Sequence, residues 1–258
     1  MNHFDVNAIS QFFYASSTCL LSLMVIVYVR NRLAEITNNF AYAVLGIVGV
    51  PLHETSHLVI ALLVNHKIID FQLFKPSSDG SLGYVLHSYR PSILSPISNL
   101  LIGIAPLFGG TFAFVMVTKW LQPELFDYFT THIVLSNLLN GDLSGVFSKI
   151  THMLDVILFS STNSYVMALW LFLSYSIIVY SVPSKADLSQ SRIGLLLMMG
   201  LILLLSAFMP SALVWVSIRI SALNSVWLSI AMLHVIIFCL TLAITSLLKR
   251  LKPTPQIS

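Results

Sequence analysis

Residues 46–66 read GIVGVPLHETSHLVIALLVNH. A run of this length and apolarity is what a helix needs to cross a hydrocarbon core about 30 Å thick. Yet His53, Glu54 and His57 stand at its centre, in a chain with only three glutamates. A carboxylate at that depth costs at least about 2.5 kcal/mol, so ionisable residues there are functional candidates by default.

Outward from this segment, the same solvent is implied throughout. Of 258 residues, 57% are apolar and 9% charged, with a mean hydropathy of +0.87. A soluble domain carries about a quarter charged residues, so the chain reads as an all-α, multi-pass integral membrane protein in a lipid bilayer. Closed backbone hydrogen bonding makes helices the default there. Six spans are expected, at 9–29, 40–65, 93–118, 164–181, 192–217 and 222–248, with Pro210 bending or shortening the fifth. The whole of 1–258 is read as one membrane domain, its core at 40–190 and additional helices at 1–39 and 191–258. The first ten residues lack Lys and Arg, a poor signal-peptide start, so the first helix is expected to be retained. Cys19 and Cys239 fall inside apolar segments and imply no disulfide framework. The net charge of +3 includes no basic run suited to nucleic acid. Six spans put both termini on the side of the 67–90 and 182–191 linkers. Eight Lys and Arg lie on that side against five opposite, which predicts cytoplasmic termini, here in a bacterial inner membrane.

Two linkers are not plain connections. In KIIDFQLFKPSSDGSLGYVLHSYR (67–90), β-favouring residues flank a Pro-Ser-Ser-Asp-Gly cluster, a pattern for a membrane-associated β-hairpin with strands near 68–74 and 83–89, or for a surface loop. Within 119–163, Leu143, Val146, Phe147, Ile150, Met153, Leu154, Ile157 and Leu158 follow the spacing of one helix face. That stripe suits a helix in the membrane interface or one packed on the bundle.

HETSH is His-Glu-x-x-His. On a helix, His53 and His57 share one face and can direct ring nitrogens at one ion, while Glu54 can reach a water there. Zinc suits two imidazoles and an oxygen ligand with a position left open. By composition alone, such a match arises about 0.003 times per chain of this kind. A third ligand is required. Asp187, in YSVPSKADLSQ, is a candidate, and it can also serve as N-cap of the fifth helix. His234 in the sixth span is the rival, with His132, Asp142 and Asp155 further choices.

In this order of elements the chain resembles the site-2 protease family of intramembrane zinc metalloproteases. HETSH lies in a membrane helix and a hairpin-like segment follows it. SPISN (Ser95 to Asn99) opens the third span, similar to the family's Gly-Pro-x-x-N. Pro183 and Asp187 end the fourth, similar to Asn-x-x-Pro-x-x-x-Leu-Asp-Gly. Ser95 replaces a glycine, Tyr180 the asparagine and Leu188 the last glycine, and Pro183 and Asp187 are four apart rather than five. No inserted PDZ domain is seen. The resemblance covers residues 40–190 and implies a compact endopeptidase cutting within or beside a transmembrane segment of a membrane-protein substrate. It implies Zn2+ held by His53, His57 and Asp187, with Glu54 as general base. Asn99 would donate a hydrogen bond to the oxyanion or to the hairpin. The hairpin edge would pair with an extended substrate. Metal binding without proteolysis, as in a transporter or sensor, and a catalytically inactive scaffold are the alternatives. No internal repeat of the transporter kind is found.

Overall fold

The computed structural model describes residues 6–36, 39–77, 81–131, 148, 151–157 and 163–251. In chain order these form α1 (Val6–Ile36), α2 (Asn39–Leu63), β1 (Lys67–Gln72), β2 (Tyr84–Ser88), α3 (Ser95–Leu121), α4 (Pro123–Thr131), α5 (Ser164–Tyr180), α6 (Lys185–Phe208) and α7 (Pro210–Leu251). Five helices (α1, α2, α3, α6 and α7) are long and apolar enough to cross a membrane. The fourth expected span, 164–181, is α5, which has 17 residues. At 1.5 Å per residue it reaches about 25 Å, short of a full hydrocarbon core.

The last two spans differ from expectation. α6 begins at Lys185 rather than 192 and stops at Phe208, and α7 restarts at Pro210 and runs unbroken past Arg219. Proline lacks an N–H and suits the first residue of a helix, where that donor is not needed. Arg219 lies within α7, its guanidinium 5.0 Å from the ring centre of Trp215.

α2 ends in a Schellman turn. Asn65 takes the left-handed conformation at φ 62°, with His66 N–H on Ala61 O and Asn65 N–H on Leu62 O. The chain then enters the antiparallel hairpin, whose register pairs Lys67 with Ser88 and Gln72 with Tyr84. A bulge between Ile68 and Asp70 makes Ile69 the extra residue, and Ile69, Phe71 and Leu86 are exposed. The hairpin is therefore present, one or two residues shorter at each strand than predicted.

α1 packs along α7, α3 along α6, and α2 against α3 and α5. Trp170, Phe114, Ile178, Trp227 and Leu233 sit in the main buried cluster, and the two indoles are not left polar and alone. Trp170 Nε1 donates to Thr118 Oγ1 and Trp227 Nε1 to Thr111 Oγ1. Within the second linker α4 packs inward through Leu125, Tyr128 and Phe129. Residues 151–157 are helical, with Met153 fully buried in the same cluster and His152 stacked on Tyr128. Those described positions favour packing on the bundle; Leu143, Val146, Phe147, Ile150 and Leu158 lie outside the described residues.

Candidate metal centre

Two close helix approaches create the site. A Cβ on Gly49 of α2 would run into the Ser176 carbonyl of α5, and one on Gly103 of α3 would meet Ser191 Oγ and the Asp187 carbonyl of α6. Glycine at these positions lets α5 and the start of α6 close over the HETSH turn. His53 and His57, one turn apart on α2, then face Asp187 near the start of α6.

The three side chains are largely buried, at 14%, 8% and 18% exposure. His57 Nε2 lies 3.1 Å from His53 Nε2 and 3.4 Å from Asp187 Oδ1, and His53 Nε2 lies 3.7 Å from Asp187 Oδ2. No other group of three such ligands is gathered among the described residues.

Backbone carbonyls decide which nitrogens are free. His53 Nδ1 is 2.6 Å from Tyr180 O and His57 Nδ1 is 2.8 Å from Ile102 O. A carbonyl only accepts, so both Nδ1 atoms carry the proton and, in the neutral rings, both Nε2 atoms present lone pairs. One of those carbonyls is freed by a proline and the other by the end of its helix. Ile102 O would normally accept the N–H of residue 106, and Pro106 has none. Tyr180 is the last residue of α5, Pro183 removes the donor three residues on, and the Ser184 N–H is committed elsewhere.

That commitment is to Asp187. Ser184 N donates to Asp187 Oδ2 at 2.6 Å, and Asp187 N donates to Ser184 Oγ at 3.2 Å. This is a reciprocal capping box with Ser184 as N-cap and Asp187 three residues in. The expectation that Asp187 might be the N-cap is thus corrected: α6 starts seven residues earlier than predicted, so the cap falls on Ser184. Asp187 Oδ1 remains directed at His57.

Glu54 is buried, and no described residue hydrogen-bonds its carboxylate. Gly83, one residue before β2, lies directly over it: a Cβ there would be 2.9 Å from Glu54 Cγ and from Val50 Cγ1. The hairpin thus roofs the glutamate. Asn99 Nδ2 donates to Tyr89 Oη at 2.9 Å, placing Asn99 at the hairpin's base.

The other ligand candidates are not gathered here. His234 is buried in α7, where Nδ1 donates to Ile230 O of its own helix. Asp155 is exposed, and His132 and Asp142 lie outside the described residues. Tyr180, Ile102, Pro106, Ser184 and Gly83 were not singled out for these roles from sequence. Only two left a signal there: Pro106 inside an apolar helix, and the S-x-x-D pattern at Ser184.

With both rings neutral, two imidazole lone pairs and a carboxylate oxygen converge, an arrangement that could hold a cation. The His53–His57 and His57–Asp187 Oδ1 separations of 3.1 and 3.4 Å lie near the roughly 3.3 Å edge of a tetrahedron with bonds of about 2.0–2.1 Å, and one ligand atom from each residue lies within 4.8 Å of the others, a donor set that could hold a metal ion. The residues present therefore fit the ion. Each ligand is also oriented by a further hydrogen bond, as metal-binding histidines and carboxylates commonly are. Comparison with known protein families, curated protein sequences and solved structures found no match to this chain.

Proposed function

We propose that the chain is a zinc-dependent intramembrane endopeptidase of the site-2 protease kind. The observation that carries this reading is the pairing of three converging, hydrogen-free ligand atoms with a buried glutamate that no described residue engages. His53, His57 and Asp187 would hold the ion. Zinc bound there supplies Lewis acidity, polarising a peptide carbonyl and easing deprotonation of water.

The remaining work falls to the chain's own groups. Glu54 takes a proton from the attacking water and delivers it to the leaving amine. An ionised Glu54 favours the first step, and its burial under Gly83 excludes bulk water from the second. A helical substrate hides its carbonyls in hydrogen bonds, so the transmembrane segment must unwind at the cut. The unpaired outer edges of β1 and β2 can bind the extended strand. Asn99 steadies that hairpin through Tyr89. If α5 also crosses, giving six spans, the surplus of Lys and Arg on the hairpin side would put the hairpin and both termini in the cytoplasm.

The test is Glu54→Gln in the full-length protein. Metal content should equal that of wild type while hydrolysis falls at least about a hundredfold, the usual scale for loss of a general base. Proteomic comparison of cells expressing the two forms should reveal an uncut membrane protein accumulating with the variant. Equal cleavage by both forms would sink the protease reading. Bound metal with no Glu54-dependent product would favour metal binding without proteolysis.

A further inference from the structure

We infer that the chain carries a binding site for an anionic phospholipid, on the face of α2 away from the metal centre. The inference does not depend on the proposed chemistry. A cleft of about 840 Å³ opens between the end of α2, the two hairpin ends and the start of α3. Lys67 and Arg90 line it, and so do the hydroxyl-bearing Ser88, Ser92, Ser95 and Ser98. No Asp or Glu contributes to its walls, and neither cation forms an ion pair with a described residue.

The floor is held in place by His66, which is buried. Its Nδ1 faces His87 Nδ1, its Nε2 faces Ser98 Oγ, and its ring stacks on Tyr89 with centroids 4.6 Å apart. A fixed polar floor beneath two unpaired cations is complementary to a phosphate.

The cleft continues into a second hollow of about 710 Å³ between α2 and α3, with Leu63, Val64 and Leu101 common to both. This lower part is almost wholly apolar, formed by side chains such as Val59, Ile60, Ile104 and Phe108. The cleft lies where the α2 span ends at Leu63 and the α3 span begins at Ser95. Charge at the end of the spans and a greasy slot along them match one phosphate headgroup with its acyl chain.

The slot is not a route for a substrate to the metal. Leu52, Thr55, Ser56, Val59, Ile60 and Leu63 repeat at helical spacing on one face of α2. At 100° per residue, His53, Glu54 and His57 are centred roughly 140° around the helix from that face.

Binding of phosphatidylglycerol, phosphatidylcholine and inorganic phosphate to the purified full-length protein, read by native mass spectrometry, tests the site. A cation beside an anionic lipid is worth about fivefold in affinity, so the two together predict a preference of about thirtyfold for phosphatidylglycerol. Lys67→Ala/Arg90→Ala should abolish the preference, and Lys119→Ala, at the far end of α3, should retain it. Val59→Trp, which fills the slot at a half-exposed position, should weaken phosphatidylglycerol with both cations intact. Equal binding of the two lipids, or a preference that survives the double variant, would overturn the inference. So would inorganic phosphate that displaces the lipid with the same dependence on Lys67 and Arg90, which would mark a free-anion site.

Discussion

Replacing Pro106 with alanine should move stability and metal affinity in opposite directions. Proline inside a helix costs up to about 3 kcal/mol relative to alanine, so Pro106→Ala should leave α3 as stable or more so. The new N–H, however, would point at Ile102 O, the acceptor that fixes His57 at 2.8 Å. A carbonyl has two lone pairs, so the imidazole would share its acceptor rather than lose it. Loss of such an orienting partner typically lowers metal affinity 10–100-fold, and sharing predicts the lower end, about tenfold or roughly 1.4 kcal/mol. Zinc dissociation constants by competition with a chromophoric chelator, together with thermal unfolding of the metal-free protein, measure both quantities. An affinity within twofold of wild type, with unfolding unimpaired, would refute the link from Pro106 through Ile102 to His57. A fall in both quantities would indicate repacking of the buried proline instead.

Other substitutions separate roles that the structure combines. Asp187→Asn should keep the capping box, since the amide oxygen can still accept from Ser184 N–H, yet reduce zinc affinity more than Pro106→Ala does; full occupancy by elemental analysis would remove Asp187 from the ligand set. Gly83→Ala places a methyl group against Glu54 and Val50, an overpacking worth about 1–3 kcal/mol; it should lift the hairpin and cut hydrolysis while zinc content stays constant, and unchanged turnover would argue against the roof. Acid should loosen the hairpin as well. Burial pushes the His66 and His87 imidazoles below their ordinary range, His87 further so through the charge of His66, so the docked state binds fewer protons than the undocked one. Docking should therefore be fully stable above about pH 6.5, the free imidazole value, and weaken as pH falls below it. Amide exchange in β1 and β2 at pH 7.5 and 5.5, corrected for intrinsic rates, reads this, and a flat profile would contradict it.

Much of this was legible in the chain. The HETSH turn brings two histidines to one helix face because four-residue spacing on a helix is a geometric statement, and the turn cluster at 76–80 announces a hairpin. Asp187 needed the resemblance to be preferred over His234, because sequence spacing says nothing about which distant helix returns to the site. The limits of α6 and α7 were misplaced for a local reason. An apolar residue count pulls boundaries towards hydrophobic runs, whereas the chain begins α6 at a polar capping box and breaks at Pro210. The pattern S-x-x-D at Ser184 was visible and would have set that boundary correctly.

The orienting shell was hidden because it is made of backbone. Every residue has a carbonyl, so no residue type marks the ones that hold His53 and His57. What can be read is the absence of a competing donor. In a membrane helix a carbonyl freed by proline must find another partner, since lipid offers none. Pro106 frees Ile102 O and Pro183 helps to free Tyr180 O, and in both cases the partner found is the Nδ1–H of a HETSH histidine. A proline inside α3 and the end of α5 thus supply the two carbonyls that leave both Nε2 atoms facing Asp187. For Pro106, following the span back four residues to its stranded carbonyl at Ile102 points to the oriented His57; Tyr180 O, at the end of its helix, carries no such mark.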